Sequence, residues 1–329
     1  MQTYLARKLA ALVAAAGLSL SVSPAFAGII TYDEDPSQNL FGTLNQRAIP
    51  ACGNNTTEDN SQACGPVAAT NSFTYLEKKY PQVYGNKLTG GNPSQTANDL
   101  SGNNYMKCNC VPGSKGTTIG NFISGKEKFI DAKAPDSTTF EFQNFWQNFT
   151  TPDYNFLLTQ VKNGQDVELL IGWYQLDADA DYKRVGGHYL TVTGASFNDN
   201  NNDNVYDAGD TPNTLYYIDP WGTTQNGVND AERSSSGLTI DTETIDTKKV
   251  EPVGDTDDVT RDFIVLNDYF THSVAPGNYN DGTTKTKIEA VVAESPVLTA
   301  VPEPGTLWLT GSGLLGALFL ARRRVVRAG

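Results

Sequence analysis

Val167-Glu168-Leu169-Leu170-Ile171-Gly172-Trp173 marks the point at which the period of this chain changes. From here on, apolar residues come in short β-branched or aromatic runs bounded by Gly, Asn and Asp, as in His188-Tyr189-Leu190-Thr191-Val192 and Leu215-Tyr216-Tyr217-Ile218. Such runs predict strands. Upstream, the spacing is helical. In Cys64-Gly65-Pro66-Val67-Ala68-Ala69-Thr70-Asn71-Ser72-Phe73-Thr74-Tyr75-Leu76-Glu77-Lys78-Lys79, Pro66 suits a first turn and Val67, Ala68, Asn71, Tyr75 and Leu76 share a face. Lys78 and Lys79 complement the dipole at the last turn, and Pro81 closes the segment. Further helical patterns run near Thr117–Ile130 and Asp153–Lys162. Helices first and strands second predict an α+β domain rather than a doubly wound sheet.

Around this centre the chain is less regular. Residues 28–62 read as an irregular, Asn- and Thr-rich arm. Residues 222–258 are rich in Thr, Ser and Asp, with an edge hairpin expected at Leu238-Thr239-Ile240-Asp241, and Phe263–Leu266 should return to the sheet. Residues 276–301, poor in apolar periodicity, read as a linker, so the folded domain is expected over 28–275.

Both ends carry sorting information. Arg7 and Lys8 precede an apolar run, Leu9–Val22, and a small-x-small site, Ala25-Phe26-Ala27, which predicts a signal peptide over residues 1–27. At the other end Val301-Pro302-Glu303-Pro304-Gly305 is followed by the apolar stretch Thr306–Ala321 and by Arg322, Arg323 and Arg324. This stretch is at the short limit for a transmembrane helix, with the arginines as a cytoplasmic stop. Residues 302–329 resemble the PEP-CTERM sorting tail of Gram-negative bacteria. The resemblance implies recognition by an exosortase-type protease, transient residence in the inner membrane, and release to the cell surface or extracellular matrix. A permanent C-terminal anchor is the alternative.

Twenty-four basic against 37 acidic residues leave a net charge of −13, which excludes nucleic acid and anionic membrane as electrostatic partners. The four cysteines, Cys52, Cys64, Cys108 and Cys110, travel to a compartment where disulfides are allowed. If one thiol is catalytic, three remain, and Cys52 joined to Cys108 or Cys110 is the expected bridge. With two histidines in all, a zinc site would need an improbable ligand set.

Cysteine acts as a nucleophile in its thiolate form, and a helix N-terminus supplies the partial positive charge and unpaired N–H groups that favour that anion. Cys64 stands at such a start. The proton it gives up needs a base, and His188, preceded by Gly186 and Gly187 which let the backbone pass close to a neighbour, is the candidate; His272 has no comparable setting. A third group must hold the imidazole in one tautomer, and Asp219, where the next strand ends in Tyr217-Ile218-Asp219-Pro220-Trp221, needs only a hairpin to reach it. Cys64 as a small buried residue, or as half of a disulfide with Cys52, is the alternative.

Cys64-Gly65-Pro66-Val67-Ala68-Ala69, Gly187-His188-Tyr189 and Ile218-Asp219-Pro220-Trp221 together resemble the cysteine, histidine and aspartate motifs of the C39-like branch of the papain superfamily of cysteine peptidases. The resemblance spans about residues 64–221. It implies a papain-like fold, a helical lobe carrying the cysteine packed on an antiparallel sheet carrying the histidine and aspartate. It also implies hydrolysis of a peptide or isopeptide bond in a protein substrate through an acyl-thioester. The family places an oxyanion-hole glutamine several residues before the cysteine; here Gln62 stands two before it and is the candidate, together with the Cys64 N–H. The double-glycine leader substrates of transporter-fused members do not transfer to an exported chain.

A second site is expected between the histidine and aspartate strands. In Asp199-Asn200-Asn201-Asn202-Asp203-Asn204-Val205-Tyr206-Asp207-Ala208-Gly209-Asp210, oxygen ligands at positions one, three, five, seven, nine and twelve have the spacing of a Ca2+ loop. Asp199, Asn201, Asp203, the Val205 carbonyl, Asp207 and Asp210 are the expected ligands. The loop resembles the EF-hand and dockerin type, with Asn204 in place of the turn glycine and Asp210 in place of the usual glutamate. A noncatalytic, calcium-stabilised surface or matrix binding protein is the second functional expectation.

Overall fold

The computed structural model describes residues 28–37, 39–46, 49, 62–108, 116–148, 150–178, 181–221, 233–246, 258–272 and 283–298. Its strands are β1 (Gly28–Asp33), β2 (Thr138–Asn144), β3 (Asp166–Leu176), β4 (Tyr182–Asp199), β5 (Thr211–Ile218), β6 (Arg233–Asp246), β7 (Asp258–Leu266) and β8 (Lys285–Pro296). The hydrogen-bonded order β4-β3-β8-β7-β6-β5 returns to β4 through the β4–β5 ladder, which closes a six-stranded barrel whose neighbours all pair antiparallel. β1 and β2 lie outside the ring, on β4 and β8. The long helices are Cys64–Lys79, Pro93–Ser101, Ile119–Lys133 and Tyr154–Lys162.

This architecture corrects the expected fold class. Among the described residues the molecule is mostly antiparallel β built on a closed six-stranded barrel, with 27% helix, and is not an α+β, papain-like fold. The reason lies in strands whose sequences hide them. β6, Arg-Ser-Ser-Ser-Gly-Leu-Thr-Ile-Asp-Thr-Glu-Thr-Ile-Asp, is polar at most positions, yet it pairs with β5 on one side and β7 on the other. β8 falls in the stretch expected to be a linker, and it pairs with β2, β3 and β7. Its charged residues disguise it: Lys287, Glu289 and Glu294 are fully buried. The folded unit therefore runs on to Pro296 rather than ending at residue 275. β1 likewise makes an ordered strand of what reads as an irregular arm.

Nine consecutive residues of β3 are buried, because both faces of the strand are covered. Leu169, Ile171 and Trp173 turn toward a cluster with Leu190, Val192, Leu215, Ile264 and Ile288. Leu170 turns the other way and joins Ala68, Phe73, Leu76, Phe122 and Tyr189 in the cluster beneath the helices. The helix Cys64–Lys79 lies in that layer with small residues, Ala68 and Ala69, and with Thr191 Oγ1 donating to the Ala68 carbonyl at 2.9 Å. Local capping sets where the neighbouring helices start. Thr118 Oγ1 accepts from Asn121 N and Asp153 Oδ1 from Asn155 N, each supplying an acceptor for a first-turn N–H.

Between the helices and the barrel runs a seam of buried charge. Lys126 sits against Glu168, Glu294 (2.7 Å), Asp166 (3.4 Å) and Ser72 Oγ (3.1 Å), and Ser72 also hydrogen-bonds Asp166. Burial alone would lower the Lys126 value, but the three carboxylates raise it above the ordinary lysine range. Burial pushes Glu294 and Glu168 up.

Candidate functional site

The helix beginning at Cys64 and the β4–β5 hairpin converge at one point. The carboxylate of Asp219, one residue past β5, accepts from His188 Nε2 through Oδ1 at 2.7 Å. The strand register that permits this pairs Thr191 with Ile218, so His188 and Asp219 lie on neighbouring strands. His188 stands within β4 rather than at its start. The Cys64 side chain interacts with the same imidazole. Cys64 is a free thiol.

Cys64, His188 and Asp219 are all buried, with exposures of 9%, 4% and 0%. Burial on its own would lower the His188 value, but the Asp219 charge and hydrogen bond, followed by the contact with Cys64, raise it from 6.5 to about 10. Asp219 is itself fixed: Trp221 N donates to Oδ1 at 2.8 Å and Tyr269 Oη donates to Oδ2 at 3.0 Å. Trp173 stacks on the imidazole with centroids 6.1 Å apart and planes 24° from parallel. The indole lies against Gly186, where a Cβ would come within 2.6 Å of Trp173 Cε3, so the glycine is the condition for that close approach.

At the helix start, no side chain caps the first turn of Cys64–Lys79, which leaves backbone N–H groups beside the thiol. Gln62 is half-buried, and its side-chain oxygen lies against Gly116, whose φ of 63° would strain any other residue. The Gln62 carbonyl accepts from the Cys108 thiol at 3.1 Å. Cys52 and Cys110 lie outside the described residues, as do the signal peptide and the sorting tail.

The loop between β4 and β5 folds on its own acidic residues. Asp199 accepts from Asp203 N at 3.3 Å and Asn204 N at 2.9 Å, and Asp210 from Asn200 N and Asp207 N at 2.8 and 3.0 Å. Asn204 adopts φ 63°, the left-handed turn that the sixth position of such a loop requires. The Asn201 amide nitrogen bridges Asp203 and Asp207 at 3.0 and 3.1 Å. A described group of three carboxylates whose oxygens all lie within 4.8 Å of one another is Asp166, Glu168 and Glu294, where Lys126 supplies the positive charge.

Tyr269 and Trp173 were not legible as site residues. Their roles arise where separate strands meet, and neither belongs to a spaced motif. Trp221 stands inside the aspartate motif, but its backbone, not its indole, holds the carboxylate.

Residues 300–324 match the PEP-CTERM protein-sorting motif. That match indicates export and surface sorting in Gram-negative bacteria and implies recognition by an exosortase-type sorting protein. No curated protein sequence matches the chain. Among the described residues no helix is long and apolar enough to cross a membrane.

Proposed function

We propose that this exported chain is a cysteine hydrolase that cleaves peptide or isopeptide bonds, with Cys64 as nucleophile, His188 as base and acid, and Asp219 as the group that orients the ring. The observation that carries the reading is the buried His188–Asp219 pair at 2.7 Å, with Cys64 buried at the helix start and interacting with the same imidazole. The imidazolium is favoured well above neutral pH, so a counter-ion for a thiolate stands in place before substrate arrives. Attack on a carbonyl carbon forms the C–S bond. The carbonyl oxygen becomes an oxyanion, for which the Cys64 N–H and the Gln62 amide are the nearest donors in sequence. His188 then gives its proton to the leaving amine, and water, deprotonated by the same ring, releases the acyl group and restores the thiol.

Iodoacetamide labelling near neutral pH tests the pair directly. Wild-type Cys64 should alkylate at least about tenfold faster than in His188→Ala, because the thiolate loses its partner. Equal rates would sink the reading. Cleavage of a peptide library by wild type, and none by Cys64→Ala, would identify the bond.

A second reading is favoured by one observation, the depth at which the three residues are buried. On it the chain is a noncatalytic surface or matrix binding protein stabilised by calcium. The loop ligands suit a hard cation: in the bound form the Asn201 amide would present its oxygen where it now presents nitrogen to Asp203 and Asp207, joining Asp199, the Val205 carbonyl and Asp210. Calcium would also brace the β4–β5 hairpin that joins His188 to Asp219, so the ion is compatible with either reading.

A further inference from the structure

We propose that Tyr269 is a positioning residue of the same site, holding Asp219 in the plane that presents Oδ1 to His188. The inference rests on the Cys64–His188–Asp219 reading and adds a member supplied by the segment after β7, to which the catalytic motifs give no part. The Tyr269 hydroxyl donates to Asp219 Oδ2 at 3.0 Å, while His188 Nε2 and Trp221 N meet Oδ1 at 2.7 and 2.8 Å. Engaging both oxygens resists rotation about the Cβ–Cγ bond, because a turn in either direction breaks a contact on each side.

The tyrosine is placed to do this rigidly. It is 1% exposed, and its ring lies against Tyr217 and Trp173 with centroids 6.1 and 6.5 Å away. Its segment is docked on β6, since Asn267 N donates to the Gly237 carbonyl at 2.9 Å and Asp268 N to Ser236 Oγ at 3.2 Å. Trp173, which packs on Tyr269, also stacks on His188, so one aromatic group backs both ends of the Asp219–His188 pair. The ionisable groups that meet His188 are Asp219 from the end of β5 and Cys64 from the helix start. Tyr269 acts on the ring only through Asp219.

Tyr269→Phe keeps the ring and takes one donor from Oδ2. The carboxylate charge is then less dispersed, the Nε2 proton is held more tightly, and the imidazole is less well aimed at the sulfur. The sequence contains two histidines, so the full chain labelled with 15N-histidine gives two ring titrations, assigned with His272→Gln. We expect Tyr269→Phe to move the His188 midpoint upward by about one pH unit, the size of a charge-assisted hydrogen bond, and to slow Cys64 alkylation several-fold. In an Asp219→Ala background the same substitution should do neither, since the acceptor for the hydroxyl is already gone. A His188 midpoint and an alkylation rate both unmoved by Tyr269→Phe, with His188→Ala still slow, would overturn the role of Tyr269 and leave the triad standing. Effects of Tyr269→Phe that persist undiminished in Asp219→Ala would assign it to packing and also overturn the proposal. Wild type and His188→Ala alkylating alike would end both.

Discussion

At the scale of single residues, the site depends on one small side chain and one perturbed proton. Gly186 leaves room for the Trp173 indole, which in turn lies over His188. Gly186→Ala should therefore cost about 1–3 kcal/mol through overpacking and slow Cys64 alkylation, as thermal unfolding and labelling would show. An unchanged midpoint would mean that the indole yields freely. The His188 proton makes a stability statement. Its folded value of about 10 lies above the ordinary 6.5, so the folded state binds more protons than the unfolded chain between those limits. That contribution is fully present below pH 6.5 and is lost as pH rises through 10. The thermal midpoint should fall across this window in wild type and fall less steeply in Asp219→Asn.

At the scale of elements, the helix layer meets the barrel across charge rather than hydrocarbon alone. Lys126 reaches from its helix to Asp166 and Glu168 on β3 and Glu294 on β8, all fully buried. Lys126→Met would strand carboxylates without their cation and should cost about 3–5 kcal/mol, measured by denaturant unfolding. Adding Glu168→Gln should recover part of the loss, because one fewer charge is then left uncompensated. The acids of this seam have a sign of their own. Burial raises Glu168 and Glu294 above 4.5, so they hold protons in the folded state that the unfolded chain has released, and their contribution weakens as pH rises above 4.5. The β4–β5 loop gives a further test. Calcium should raise the thermal midpoint of the full chain, and Asp203→Ala should abolish the rise, since it removes one ligand and the acceptor for Val205 N.

At the scale of the whole molecule, β8 completes the ring. It lies between β3 and β7, and its nine central residues are buried. A chain ended at residue 275 lacks that strand and leaves the edges of β3 and β7 unpaired, so it should fail to unfold cooperatively. A chain ended at residue 298 keeps every described strand and should unfold as one unit. Circular dichroism of the two truncations would separate a barrel closed by β8 from a domain that stops before it.

The sequence by itself determined what is local: the helix at Cys64 with its proline and terminal lysines, the strand runs at β3, β4 and β5, the loop that turns at Asn204, and the sorting motif of residues 300–324. Each is a pattern of neighbours, carried by period, cap or spacing. Closure of the barrel was decided only in three dimensions, because β6 and β8 look polar until Lys285 is seen against Asp241 and Glu243, and Lys126 against Glu294. Residues of one strand cannot announce the charge that will meet them from another. The same reason governs the site. Cys64, His188 and Asp219 stand in motifs that can be quoted, whereas the hydroxyl of Tyr269 is joined to Asp219 only by the folding of a segment 50 residues away.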